Sequence, residues 1–154
     1  MKRKLKVFFL FSFLLSYLHA DNSATRYSYS KKFLPVYIES IAKSKLGKTY
    51  KWGGDGPYQY DCSGFTKEVF AETGIKIPRI SREQAKIGQR IPKNQLKKGD
   101  LIFFHSKKST LVDHVGIYLG NGKFIHASRF HKRVVISPLR EYRRFFSCGR
   151  RITV

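Results

Sequence analysis

Residues 113–128 read DHVGIYLGNGKFIHAS, and this stretch decides the fold. Val115, Ile117 and Leu119 alternate with His114, Gly116 and Tyr118, the two-residue period of a half-buried strand. Gly120, Asn121 and Gly122 break the alternation with residues that tolerate turn geometry, and residues 124–128 read as the returning strand. Strands joined so closely pair antiparallel. A two-residue loop would pair Gly120 with Lys123 and send His114 and His126 to opposite faces. A three-residue loop pairs Leu119 with Lys123 and makes the two rings diagonal neighbours on one face. A working histidine pair therefore predicts an odd loop.

The pattern extends outward from this hairpin. Residues 101–104 form an apolar strand before it, and residues 134–137 and 150–154 are strand candidates after it. Upstream the period is helical. Leu34, Ile38, Ile41, Ala42 and Leu46 recur at helical spacing, with Gly47 as the stop. Asp61 is placed to cap a helix that starts at Cys62, buries Phe65, Val69 and Phe70, and ends at Gly74. Ser81 and Gln84 fit a capping box for a short third helix. Residues 50–60, with three glycines, one proline and four aromatics, read as an ordered loop. Helices first and strands afterwards predict an α+β fold, with N-terminal helices packed on a central antiparallel sheet of about five to six strands. With 154 residues, 42% of them hydrophobic, the chain holds one core.

The first twenty residues read as an export signal. Lys2, Arg3, Lys4 and Lys6 precede an apolar run over 7–18, and cleavage is expected after Ala20. No cysteine stands near that point to carry a lipid anchor. The expected organisation is a signal peptide over 1–20, a flexible lead over 21–33 and a catalytic domain over 34–154, exported to the periplasm or cell envelope. Removing residues 1–20 takes four cations and no acid from a chain of net charge +21, leaving +17. Such a charge favours an anionic partner. An exported protein rarely meets nucleic acid, so an anionic cell-wall surface is the expected partner, with no nucleic acid and no oligomer. Two cysteines are too few for a disulfide scaffold or a four-cysteine zinc site.

A cysteine in the first turn of a helix faces free amides and the positive end of the helix dipole, which favour a thiolate. Cys62 has that placement, and Gly64 lets another chain approach closely. A nucleophile needs a base, and the base needs an orienting group. Taken singly, His114 and His126 read as ordinary core or surface residues; taken with Cys62 they fill all three roles.

Five blocks occur in order: Tyr50-x-Trp52-Gly53-Gly54; Asp61-Cys62-Ser63-Gly64-Phe65; Pro78-Arg79-x-Ser81; Gly99-Asp100-Leu101-Ile102-Phe103-Phe104; and His114-Val115-Gly116-Ile117-Tyr118-Leu119-Gly120 through Phe124-Ile125-His126-Ala127. Together they resemble the NlpC family of bacterial cell-wall cysteine peptidases, a papain-like branch, over roughly residues 35–152. The resemblance implies Cys62 as nucleophile, His114 as general base and His126 as the orienting third member. It implies that Tyr50 helps polarise the attacked carbonyl, that Asp61 and Ser63 hold a substrate amine, and that Arg79 meets a substrate carboxylate. His105 and His131 receive no role. No cofactor or metal is expected. The implied substrate is the peptide stem of peptidoglycan, cut at the bond between γ-D-glutamate and diaminopimelate. The alternatives are a D,D-endopeptidase that opens cross-links, a non-enzymatic basic wall binder, a basic secreted nucleic-acid binder and a lipid acyltransferase of related fold. A zinc site on Cys62, His114 and His126 and a Cys62–Cys148 disulfide are also alternatives.

Overall fold

The structure is a computed structural model that describes residues 22–107 and 109–153. The expected signal peptide lies outside the described residues. The chain divides into compact units at the step from Phe33 to Leu34, and the catalytic candidates all fall in the second unit.

Helix α1 runs Asn22–Ser44. It therefore occupies residues 22–33, where the sequence predicts a flexible lead. The polar, serine-rich run there has no apolar period to announce a helix. Pro35, a residue suited to a first helical turn, instead lies inside this one. Gly47, at φ 80°, closes the turn that follows. Helix α2 is Cys62–Glu72 and helix α3 is Ser81–Gln84.

The strands are β1 (Thr49–Tyr50), β2 (Gln59–Tyr60), β3 (Gln89–Ile91), β4 (Leu101–His105), β5 (Val112–Gly120), β6 (Lys123–Ser128), β7 (Arg133–Pro138) and β8 (Phe146–Arg151). They form one eight-stranded sheet in the order β2-β1-β7-β6-β5-β4-β8-β3. Every pairing is antiparallel except β1 with β2. The α+β class is as expected. The count exceeds five to six because β1, β2 and β3 are two or three residues long, too short to show a period. The last strand also lies earlier than the expected 150–154.

The sheet is covered on both faces at its centre. Leu101 and Phe103 of β4 join Phe65, Val69 and Phe70 of α2 and Ile38 and Ala42 of α1 in the main core. Ile102 and Phe104, which point the other way, pack with Phe124 and Leu139 in a second cluster. Burial on both faces explains why β4 reads as a continuous apolar run.

The β5–β6 hairpin keeps the expected register by a different route. Ile117 pairs with Ile125 and Tyr118 with Phe124, as a three-residue loop would require, but Gly120 pairs with Lys123 across a two-residue turn. Asn121 and Gly122 take φ 51° and 67°, the positive values such a turn needs. A bulge between Tyr118 and Gly120, with Gly120 at φ 86°, absorbs the extra residue. The bulge thus does what the third loop residue was expected to do, and His126 stays on the face of His114.

The predicted capping box does not form. Ile80 is the N-cap of α3 and makes no side-chain cap bond. The buried Gln84 donates to the Ser63 and Pro78 carbonyls at 3.0 and 2.7 Å and accepts from the Thr66 hydroxyl at 2.8 Å. It ties α3 to the start of α2.

Candidate active site

The site begins with a helix cap. Asp61 is extended, at φ −90° and ψ 179°, and its carboxylate accepts from the Gly64 amide at 2.7 Å, which starts α2 at Cys62. A Cβ at Gly64 would overlap the Gly54 carbonyl oxygen, so only glycine lets the 50–60 loop lie against this turn. The same carboxylate takes two parallel bonds from the Arg79 guanidinium, at 3.0 and 2.7 Å, and one from the Gly53 amide at 3.1 Å. The Ser63 hydroxyl donates to it at 3.3 Å and accepts from Arg79 at 3.1 Å. Arg79 also reaches the Gly54 carbonyl at 3.2 Å and Asp55 at 3.2 Å. Most of its donors are thus taken within the protein.

Cys62 faces strand β5. Its Sγ lies 4.0 Å from the Asp113 carbonyl, and the Val115 backbone stabilises the thiolate form. Both chain neighbours of His114 therefore reach the thiol. The His114 ring packs on Phe104 at 6.0 Å, and its Nε2 meets Nδ1 of His126 at 2.7 Å. The Nε2 of His126 in turn meets the Ser137 hydroxyl at 3.1 Å. The His126 ring is stacked on Phe124 at 4.5 Å and capped by the edge of Tyr142 at 5.6 Å. Burial raises the Tyr142 phenol, and a hydrogen bond from Ser137 offsets part of that rise.

The line of rings is satisfied in either direction, and the direction that suits a base is the one that leaves His114 Nδ1 as an acceptor. A His114 that accepts at Nδ1 carries its hydrogen on Nε2 and donates it to His126 Nδ1. His126 then carries its hydrogen on Nε2 and donates it to Ser137. Both nitrogens of His126 are used, which leaves none for an ion shared with Cys62. Cys62 and Cys148 are free thiols, and Cys148 is buried in the main core.

The electrostatics differ from the sequence expectation in one respect. A helix-start thiol is expected to ionise easily. Burial instead pushes Cys62 up to about 11, the Asp61 charge adds to the rise, and the amides of Val115, Ser63 and Cys62 offset only part of it. Desolvation outweighs the helix terminus here. Burial likewise lowers His114 to about 4 and holds His126 well below its ordinary value. The resting site therefore holds a neutral thiol and two neutral imidazoles.

Tyr50 completes the cluster. Burial raises its phenol first, then the charges of Cys62 and Asp61, which places the half-buried ring in their field. Of the residues singled out in the sequence, Asp61, Ser63 and Arg79 share one bonded cluster at the start of α2, His114 and His126 are bonded to each other, and Cys62 faces the carbonyl that precedes His114. His105 ends β4, and His131 bonds the Ser128 hydroxyl at 3.0 Å. Sequence reasoning missed Ser137 and Gln84. Ser137 is set by the sheet: His126 pairs with Val135 on β7, so Ser137 lies two residues along on the same face.

A profile of the NlpC/P60 family matches residues 47–147. The "Probable endopeptidase p60" of Listeria innocua is 52% identical over 86 residues, 56% of this chain and 18% of that protein. The "Gamma-D-glutamyl-L-lysine dipeptidyl-peptidase" of Bacillus cereus is 44% identical over 101 residues, 65% of this chain and 30% of that protein. The chain thus spans less than a third of the length of either curated relative. A crystal structure of an NlpC/P60 family protein from Bacillus cereus superposes with a TM-score of 0.74 at 36% identity, covering 78% of this chain and 40% of that one. With its sheet, its capped cysteine and its paired histidines arranged in this order, the chain belongs to the NlpC/P60 family.

Proposed function

We propose that this chain is an exported cysteine peptidase that acts as a monomer at the anionic cell wall. It hydrolyses peptidoglycan stems at the bond between γ-D-glutamate and the diamino acid that follows. The observation that carries this reading is the run of bonds from His114 through His126 to Ser137, on a strand whose Asp113 carbonyl lies 4.0 Å from the Cys62 sulfur. A binding protein has no use for a half-buried thiol beside a strand that carries an oriented imidazole. The peptidase names of the relatives support the reaction class, and the name of the Bacillus cereus relative supports the bond.

In this mechanism the Cys62 thiol passes its proton to His114 Nδ1, and the sulfur attacks the carbonyl carbon. The oxygen of the tetrahedral intermediate develops negative charge near the Tyr50 hydroxyl and the amides at the start of α2. Collapse breaks the C–N bond, and His114 returns the proton to the leaving amine. Water, deprotonated by His114, then cleaves the thioester and restores the thiol. His126 and Ser137 hold the His114 ring in the accepting tautomer throughout. Asp61 and Ser63, braced by Arg79, present the carboxylate and hydroxyl that would receive the substrate's amine. With a resting thiol near 11 and a resting imidazole near 4, the first proton transfer is uphill. That cost is offset in part by the backbone bonds to the thiolate and by the attraction between the two new charges.

Digestion of purified sacculi, with the fragments identified by mass, tests the assignment. The expected fragments end in a free γ-D-glutamyl carboxyl and begin with a free diamino-acid amine. Release of intact stems by opened cross-links alone would replace this assignment with a D,D-endopeptidase.

A further inference from the structure

Arg79, which the sequence nominates for a substrate carboxylate, is already shared among Asp61, Asp55, Ser63 and Gly54. A leaving peptide with free carboxylates must meet other cations. Lys107, Arg140, Arg143 and Arg144 line one groove of about 660 Å³, against a single carboxylate, Glu141. All four cations are exposed, and none forms a salt bridge with a described carboxylate.

The groove is set on fixed backbone. The His105 amide donates to the Phe145 carbonyl at 2.9 Å, and the His105 and Phe145 rings meet edge to face at 6.3 Å. Within the turn that bears the arginines, the Phe145 amide bonds the Tyr142 carbonyl at 3.0 Å. The Tyr142 ring of that turn packs on His126. One short segment therefore both supports the histidine pair and carries three arginines.

The groove also has a direction. His105, Lys107 and Phe145 line it, and they also line a smaller cavity, about 200 Å³, that contains His114 and Asp113. Tyr50 and Asp61 line neither. His114 is the group that returns a proton to the leaving amine, so the space beyond it is where the amine-side half of the substrate lies. We propose that this groove is the leaving-group subsite and that it takes the free carboxylates of the amine-side peptide. This inference rests on the peptidase assignment and adds the substrate chemistry on one side of the cut bond. A carboxylate held between two guanidinium groups gains charge-assisted hydrogen bonds that an amide cannot match.

The test uses the mature chain and two synthetic tripeptides, L-Ala-γ-D-Glu-diaminopimelate and the same peptide with both diaminopimelate carboxylates amidated. Wild type should cleave the acid with a kcat/KM about tenfold above the amide, an advantage that shrinks with added salt. In Arg143→Gln/Arg144→Gln the ratio of acid to amide kcat/KM should fall close to one. An equal charge loss at the remote Lys76 and Lys86 should leave the ratio intact. A second arm needs no turnover: NMR titration of the Cys62→Ala protein with free diaminopimelate, read at the His105 ring, should show binding that its diamide lacks. Equal cleavage of acid and amide by wild type, or a ratio that survives the double arginine change, overturns the subsite while the peptidase assignment stands. Acid-selective binding that the arginine changes abolish, with neither tripeptide cut, keeps the groove as a carboxylate site but overturns the peptidase assignment and the leaving-group role with it. Cleavage of neither tripeptide without selective binding overturns both.

Discussion

Asp61→Asn separates two jobs that one carboxylate performs. The asparagine keeps an oxygen for the Gly64 amide, so the cap of α2 survives. It loses the two charge-assisted bonds to Arg79, at 3.0 and 2.7 Å, and turns an amide donor toward a guanidinium that can only donate. The Asp61 and Arg79 side chains are 13% and 31% exposed, so the pair is only partly screened. Arg79 keeps Asp55 at 3.2 Å. The net loss should be about 2 kcal/mol, or a Tm lowered by about 8 °C. The thiol should respond in the opposite sense. Asp61 is the second cause, after burial, of the raised Cys62 thiol. Removing that charge, and leaving Arg79 partly uncompensated, should lower the thiol and raise the thiolate fraction below its midpoint. The assay is the rate of iodoacetamide alkylation from pH 7 to 11 in a Cys148→Ser background, beside thermal melts of the same proteins. Wild type should alkylate slowly at neutral pH, and Asp61→Asn should alkylate faster while melting earlier. A variant whose alkylation midpoint stays put or rises would refute the claim that Asp61 holds the thiol up.

Ser137→Ala should lower kcat about tenfold and leave KM nearly unchanged, because it releases the His126 tautomer without touching substrate, and Ser137→Thr should restore most of the loss; paired kinetics on a stem peptide decide it. Gly116→Ala should inactivate, since its Cβ would lie 2.7 Å from the Phe124 ring, 2.9 Å from the Ile125 carbonyl and 3.1 Å from the His126 Cβ; a variant with unchanged kcat would show that the β5–β6 spacing does not set the histidine pair. His114 binds a proton near 6.5 when unfolded but only near 4 when folded. The stability tied to its buried neutral form is therefore complete above pH 6.5 and is lost as pH falls toward 4, by up to roughly 3 kcal/mol. Denaturant titrations at pH 7 and pH 4.5 should show this slope, and His114→Gln should flatten it.

Residues 113–128 state the condition for a shared face of the two histidines, one odd residue between the strands, but admit either register. Whether the odd residue enters the loop or a bulge depends on φ at Gly120, Asn121 and Gly122, which residue identity permits but does not choose. The cap at Asp61 was legible, because an aspartate before a helix has one common use. The ionisation of Cys62 was not, because the helix terminus is a local property and desolvation is a property of the assembled core. Ser137 was hidden for a related reason: its importance appears only once β7 lies beside β6 with Val135 against His126. Gln84 has the spacing of a capping residue, and the buried carbonyls of Ser63 and Pro78 claim it instead. The strands β1 and β2 pair through two residues each, and a two-residue segment has no period to read.

The central claim is that Cys62 is the nucleophile, and one measurement addresses it directly. Wild-type and Cys62→Ala proteins are incubated with a soluble stem peptide, quenched in acid during turnover, and weighed intact while the fragments are counted. The account predicts fragments and a transient adduct, equal in mass to the acyl half of the stem, on the wild-type chain. It predicts neither on Cys62→Ala, with the two melting curves coincident to within a degree or so, since truncating one sulfur in a half-buried position costs little. A Cys62→Ala protein that releases fragments at the wild-type rate would contradict it.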